Sequence, residues 1–362
     1  MPNILDIRRR IRSVINTRQI TKAMKVVSAA KLRRAQDRAM AARPYAQMLT
    51  NVLKSLVARA EIYDPETGEP KHPLLVQRPE KNLLMIVVTG DKGLAGGFNA
   101  NINKAALRFI ESKEGDSKEE KNVDIEAIGR KGRDFLRRRY PAAKVQTHTL
   151  ADLDEFEVER GAAERSAAVQ IVGEHVGILG KVGFAQASAL AESVIERYTR
   201  EEIDAVYVVF NEFKSVIAQR LIVEQILPIE TIGKQTVRLS EEMTEEERKK
   251  AKEAAISAGV GMRKSPADEV AEKFATAQVD YIYEQSPEEL FRDLLPKYVS
   301  IQIFRALLES VAAEHAARMT AMDSATNNAT DMIDSLTLVM NRARQAKITK
   351  EIIEIVSGAA AM

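Results

Sequence analysis

The chain has 362 residues, 45% of them hydrophobic and 29% charged, length enough for more than one domain with a sizeable core. Lys and Arg number 54 against 52 Asp and Glu, so no global charge favours nucleic acid or an anionic membrane. The absence of cysteine excludes disulfides, thiolate metal sites and cysteine nucleophiles.

The first element is a long helix. No Gly or Pro occurs from residue 3 to residue 43, and Ile4, Ile7, Ile11, Val14, Met24 and Val27 mark an apolar stripe at helical spacing. Pro44 predicts a kink rather than an end, since Met48, Val52 and Leu56 continue the pattern. The first forty residues carry eleven basic and two acidic side chains, a skew that keeps a coiled-coil scaffold or nucleic-acid binder open as an alternative. No aromatic residues interleave the basic ones to stack bases. The start lacks the apolar run of a secretory signal, and no stretch reaches the roughly 18 apolar residues of a membrane span. The expectation is a cytosolic protein, or one peripheral to a membrane through a partner.

A different pattern follows. LLMIVV (83–88) and AVYVVF (205–210) are continuous apolar runs, as expected of buried parallel strands; VDIEAIG (123–129) alternates more weakly. NKAALRFIES, GRDFLRRRY and SALAESVIERYTR read as the intervening helices, which predicts a Rossmann-like α/β domain over residues 82–232. IAQRLIVEQILPI predicts an edge strand before Pro228. The turn GDKGLAGGFN (90–99) sits between strand and helix like a phosphate cradle. It lacks the Lys-Ser/Thr pair of a P-loop and the spacing of a dinucleotide fingerprint, so the favoured reading is a tight connection, with phosphate binding the minor alternative. His72, His148, His175 and His315 are far apart, with no metal-ligand spacing, and no nucleophile elbow or zinc-protease motif occurs. No catalytic constellation, cofactor or metal is expected, although a nucleotide-using enzyme on the βαβ unit is a further alternative.

Three stretches look added: the charged loop ESKEGDSKEE, residues 154–172, to which no role attaches, and residues 233–278. In the last, Thr244 with Glu247 offers a capping box and Ser265-Pro266 a second helix start, predicting a helical hairpin, with disorder as the alternative.

After Pro296 there is neither Pro nor Gly until Gly358. Ile301, Phe304, Leu308, Val311, Met319, Met322, Ile333, Leu336, Met340, Ala343, Ile348, Ile352 and Ile355 recur at helical spacing, and Ser286, Pro287 and Glu289 supply an N-cap, an N1 proline and an acidic N3. Sixty residues make a rod of roughly 90 Å, too long for one small core. The helices of residues 1–60 and 286–362 therefore read as an antiparallel coiled coil, the alternative being two separate amphipathic helices on one core. Ala, Ser, Thr and Asn thin the seam, so outside contacts are expected to support it.

NTRQITKAMKVVSAAKLRRAQ, GDKGLAGGFNANI, LLPKYVSIQIFRALLESVAAEHAARMTAMDSATNNA and NRARQAKITKEIIEIVSGAAA closely resemble the γ subunits of F-type ATP synthases. The likeness covers both termini and the sheet domain. It implies a rotor shaft that couples proton (or sodium) flow through a membrane c-ring to conformational change, and so to ATP synthesis or hydrolysis, at the β subunits, without a catalytic site of its own. It implies α and β subunits, an ε subunit and the c-ring as partners, no nucleic acid and no direct lipid insertion. The implied location is peripheral, on the cytoplasmic face of the bacterial inner membrane. By the same likeness, Arg344, Gln345 and Thr349 contact the β subunits at a collar, with Met24 and Lys25 on the facing helix near it. For Met24 a seam position is an equal and compatible reading. Phe210, Asn211, Glu212 and Phe213 fall at the foot, towards the c-ring or ε. Photosynthetic relatives carry a thiol switch near the long added segment, which cysteine-free residues 233–278 cannot reproduce; the expectation is regulation by obstruction of rotation.

Overall fold

The computed structural model describes residues 4–57, 70–115, 121–143, 167–230, 232, 234–260 and 284–360. Helices α1 (Ile4–Val57), α2 (Phe98–Gly115), α3 (Arg130–Leu136), α4 (Phe184–Thr199), α5 (Glu245–Ser257) and α6 (Pro287–Ala360) accompany strands β1 (Asn82–Val88), β2 (Asn122–Ile128), β3 (Val169–His175), β4 (Ala205–Ser215), β5 (Ala218–Leu227) and β6 (Thr236–Glu242).

The terminal helices form the expected rod. They contain 54 and 74 residues, about 80 and 110 Å at 1.5 Å per residue. Thr21 Oγ1 lies 2.8 Å from Thr326 Oγ1, and Lys25 Nζ lies 2.8 Å from Asp323 Oδ1. Numbers rise along α1 as they fall along α6, so the pair is antiparallel. Ile4 then comes level with about residue 343, and the last turns of α6 project about 25 Å beyond α1. Pro44 and Pro296 both lie inside their helices. Ser286 starts α6 as expected, its Oγ accepting from the Glu289 amide at 3.2 Å.

The buried stripe of α1 differs from the one read off the sequence. Thr21, Ser28, Ala29, Leu32 and Ala35 face inward, whereas Val27 and Met48 are exposed. The buried face of a helix follows its partners, and from Ser28 onward α1 meets the sheet domain as well as α6. On α6, Ala306, Ala312, Ala313 and Ala316 are buried, and their small size permits close approach.

Between the helices lies one six-stranded sheet, ordered β3-β2-β1-β4-β5-β6. The first four strands in that order are parallel, and β5 and β6 add as antiparallel neighbours. Alternate residues of β1 feed two cores. Leu83, Met85 and Val87 pack with α2, α5 and the Ala29–Ala35 and Ala312–Met319 parts of the rod. Leu84, Ile86 and Val88 pack with α4 and the Leu49–Leu56 and Phe291–Leu307 parts. The rod thus crosses the sheet and contributes to both of its faces.

Four expectations need correction. β5 is not an edge, because β6 pairs along it from Arg220↔Glu242 to Gln225↔Thr236. β6 itself lies in the segment read as a helical hairpin. Only α5 of that hairpin is present among the described residues, with the Thr244/Glu247 capping box formed as predicted; the Ser265-Pro266 start lies outside them. Residues 169–172, within the stretch to which no role was attached, begin β3, while 154–166 lie outside the described residues. The first half of the charged stretch ESKEGDSKEE, read as a loop, is helical, since α2 continues to Gly115, while residues 116–120 lie outside the described residues.

Candidate partner interface

Among the described residues, α6 extends alone beyond the level of Ile4. Arg344, Gln345 and Thr349 are exposed there, together with Ile348, Ile352, Ile353, Ile355 and Val356, of which Ile355 reaches 72% exposure. Ile348, Ile352 and Ile355 follow the i, i+4, i+7 spacing of one stripe. Lys347 with Glu351 at 3.6 Å and Lys350 with Glu354 at 3.5 Å support the bare turns, each by only a few tenths of a kcal/mol. Fully burying an aliphatic side chain of this size is worth about 1.5–3 kcal/mol. A contiguous apolar group on a projecting helix therefore marks a contact surface.

Met24 and Lys25 do not share that level. Lys25 stands beside Asp323, about twenty residues or 30 Å along α6 from Arg344, so the structure does not bring these residues to one level. Met24 is half-buried beside the seam. Lys25 serves the chain itself: its ammonium donates to Asp323 at 2.8 Å and to Ser257 of α5 at 3.0 Å, with both charged side chains 12% exposed. Arg33 donates to the Gly259 carbonyl just after α5. The inserted helix is thereby clipped to both rod helices.

The foot residues are also placed differently. Strand alternation sends Phe210 into one core and Phe213 into the other, while Glu212 is buried and paired with Arg220. Of the four, only Asn211 reaches solvent in part; it lines a cavity of about 390 Å³ shared with Gly96, Phe98, Arg220, Lys250 and Thr320.

The glycine turn meets the rod. Gly90 donates its amide to Asn99 Oδ1 at 2.8 Å, and a Cβ at Gly90 would sit 2.7 Å from the Glu314 carboxyl carbon. Arg318 donates to the Lys92 carbonyl at 3.3 Å and the Gly93 carbonyl at 3.2 Å, and also to Glu314. The turn is thus faced by a carboxylate and a guanidinium of the chain's own helix and joins sheet to rod. Nearby His315 is held down to about 4, first by burial and then by Arg318, Lys31 and Lys92.

A second polar joint lies lower on the rod. Arg305 donates to both oxygens of Glu224 on β5, each at 2.6 Å. One turn along α6, Glu309 is buried and pushed up to about 7 by burial, with the charges of Glu212 and Glu224 adding and those of Arg305 and Arg43 opposing. Burial likewise raises Glu224 despite Arg305. Sequence reading missed Arg305, Glu309, Glu314, Arg318 and Asp323. Their available signal was charge inside the inward stripe of α6, where a solvated helix carries none.

Among the described residues, no group of His, Asp or Glu is arranged to hold a metal ion. His72, His175 and His315 lie apart, and His148 is outside the described residues. No helix among those residues is long and apolar enough to cross a membrane.

The chain is similar to two solved structures. The central stalk and c-ring of the Tetrahymena thermophila mitochondrial ATP synthase matches at 21% identity and a TM-score of 0.47, covering 84% of this chain and 99% of that one. The rotor of the Euglena gracilis mitochondrial ATP synthase matches at 16% identity and 0.48, covering 95% and 98%. By sequence, the chain is 46% identical over 361 residues to the ATP synthase gamma chain of Solibacter usitatus, covering 100% of this chain and 99% of that one. It is 42% identical over 362 residues to that of an Anaeromyxobacter species, covering 100% of both. The model of the family described as ATP synthase matches residues 3–362. A match of that extent, with relatives alike over their full length, means that the chain belongs to the ATP synthase gamma chain family.

Proposed function

We propose that this chain is the central-stalk shaft of a rotary ATP synthase. The rod couples ion flow through a membrane c-ring to conformational change at the β subunits, and the chain carries no catalytic site of its own. The observation that carries the reading is the end of α6, which among the described residues extends alone past α1 and exposes five large aliphatic side chains. A tip of that shape fits a close-fitting apolar sleeve made by a ring of α and β subunits. Arg344, Gln345 and Thr349 are assigned to β-subunit contacts at this upper station. Met24, with whatever part of Lys25 is not held by Asp323, belongs to a lower one.

At the foot, Asn211 is the one residue of its motif with surface to offer the c-ring or ε subunit. The chain is assigned to the periphery of the complex on the cytoplasmic side of the bacterial inner membrane, with neither nucleic acid nor inserted lipid among its partners. The inserted helix α5, clipped at Lys25 and Asp323, lies against the shaft where a ring subunit would pass, which supports a role in limiting rotation.

The test is MgATP turnover by the matching α and β subunits with and without this chain. Sustained hydrolysis and a stable complex should both require it, and deletion of residues 344–360 should weaken both. A chain that neither joins the ring nor alters its rate would end this reading.

A further inference from the structure

The joint between β5 and α6 holds two carboxyl groups and one guanidinium. Arg305 directs a single amino group, Nη2, at both oxygens of Glu224, each at 2.6 Å. A guanidinium ordinarily offers a carboxylate two parallel N–H bonds, and here the buried Nε–H has no acceptor. Glu309 follows four residues along α6, a spacing that makes the two side chains neighbours on one helix face, and each lies in the other's field. Glu309 is 8% exposed. Among the described residues it makes no hydrogen bond or ion pair, and its Oε2 is buried and bare.

A buried carboxyl group without a partner is tolerated neutral but not ionised. Burial pushes the pKa of Glu309 up to about 7, so both forms occur near neutral pH. The groups that face it are Arg305 on its own helix, Arg43 and the Tyr45 phenol on α1, Glu212 on β4, and Glu224 with Arg220 on β5. From α4 comes only the apolar Phe184. Arg220 is taken by Glu212, and Tyr45 is largely exposed. Arg305 alone combines a bare, buried N–H with a place one turn away.

We propose that Arg305, Glu224 and Glu309 form a proton-controlled joint between sheet and rod. With Glu309 protonated, Arg305 holds Glu224. When Glu309 releases its proton to water, Arg305 turns its Nε edge to the new carboxylate, and its hold on Glu224 slackens. Glu224 is 3% exposed and has the like charge of Glu212 nearby, so losing Arg305 leaves it stranded and the β5–α6 contact opens more often. The device belongs to the chain itself and stands apart from the shaft role.

The chain has no cysteine, so a thiol introduced at Ala306, 1% exposed and packed between α6 and the sheet, reports opening of the joint. The full chain carrying Ala306→Cys is labelled with a thiol reagent at about pH 6 and about pH 8.5, with and without Glu309→Gln. Comparison within one pH cancels the titration of the thiol. At the higher pH, labelling should be at least tenfold faster with Glu309 in place than with Glu309→Gln; at the lower pH the two should agree within about twofold. Ile303→Cys, one turn earlier and equally buried, serves should Ala306→Cys misfold. Ala127→Cys on β2, buried away from the joint, should show less than a twofold effect of Glu309→Gln at either pH. Equal labelling at the higher pH, a tenfold difference already present at the lower pH, or the same difference at Ala127→Cys each overturns the proposal.

Discussion

Replacing Lys25 by Met removes an ammonium but keeps most of its stem, leaving Asp323 with only the Ser257 hydroxyl, which donates to it at 3.3 Å. Exposed ion pairs are worth about 0.2–1 kcal/mol, whereas stripping one partner from a fully buried pair costs about 3–5 kcal/mol. With both side chains 12% exposed, this pair falls between those limits, and each of Lys25→Met and Asp323→Leu should cost about 2 kcal/mol. The double variant should lose about 1–2 kcal/mol less than the sum, because it leaves no stranded charge. The local effect should exceed the global one. Helix α5 buries only Ala251, Ala254 and Ala255, so its attachment depends on the contacts at Ser257 and Gly259. Losing about 1.4 kcal/mol there corresponds to tenfold faster opening. Urea unfolding of the four proteins gives the coupling energy, and amide hydrogen exchange across residues 245–257 reads the release of α5. Additive losses, or α5 exchange within twofold of the parent in both single variants, would refute the reasoning.

Glu309 sets a pH dependence. Its folded pKa of about 7 lies above its unfolded value near 4.3, so the native state binds the extra proton, and stability falls as pH rises between those values. Glu309→Gln should flatten that part of the curve and gain about 2–3 kcal/mol relative to the parent at pH 8, while differing little at pH 4; melting curves at both pH values check it. His315 acts in the opposite sense. Its pKa, lowered to about 4, contributes stability above about 6.5 that is lost as pH falls to 4, so the comparison is with Glu309→Gln rather than with a flat line. At the glycine turn, Gly90→Ala drives a Cβ against the end of the Glu314 side chain and should cost about 1–2 kcal/mol in urea unfolding. Gly129→Ala should cost more, since φ is +92° and the new Cβ would lie 2.0 Å from the Thr89 carbonyl oxygen. Ile352→Ser with Ile355→Ser should leave the melting temperature of the isolated chain within 1–2 °C, because both are already exposed. The same double change should weaken co-assembly with α and β subunits, measured by gel filtration, at least tenfold.

The parts of the fold that were legible in the sequence are those whose signals are local. Ser286 with Pro287 marks a helix start, Thr244 with Glu247 builds a capping box, and six apolar residues in a row make β1; each is decided within a few residues. β6 was hidden for the opposite reason. TVRLSEE has an alternating, largely exposed pattern, and it becomes a strand because β5 offers an unpaired edge about ten residues earlier. β3, VQIVGEH, interrupts its apolar run with Gly and two titratable residues. The buried face of α1 likewise includes Thr21 and Ser28, polar residues that turn inward only because Thr326 and the sheet domain are there. The candidate site divides in the same way. The residues of the tip were visible as the end of an apolar stripe, though not that they extend past α1, and Lys25 finds Asp323 at a separation of 298 residues, beyond any sequence window.

The missed charges share a physical logic. Apolar contact between two helices, or between helix and sheet, is non-directional and tolerates sliding or rotation at little cost. A sheet domain held at one place on a rod, as the proposed shaft role requires, needs contacts that fix both height and azimuth. Arg305 on Glu224 and Arg318 on the Gly93 carbonyl tie the sheet to α6 at two heights, while Lys25 on Asp323 ties α6 to α1 at a third. Each requires a particular pairing of donor and acceptor, and a slip of one residue would strand a charge at a cost of several kcal/mol. Between these ties α6 buries Ala306, Ala312, Ala313 and Ala316 beside Leu307, Leu308, Met319 and Met322, apolar contacts that do not by themselves specify a register. Polar joints supply the specificity and apolar packing the buried area, so together they hold the sheet domain at one angle on the rod.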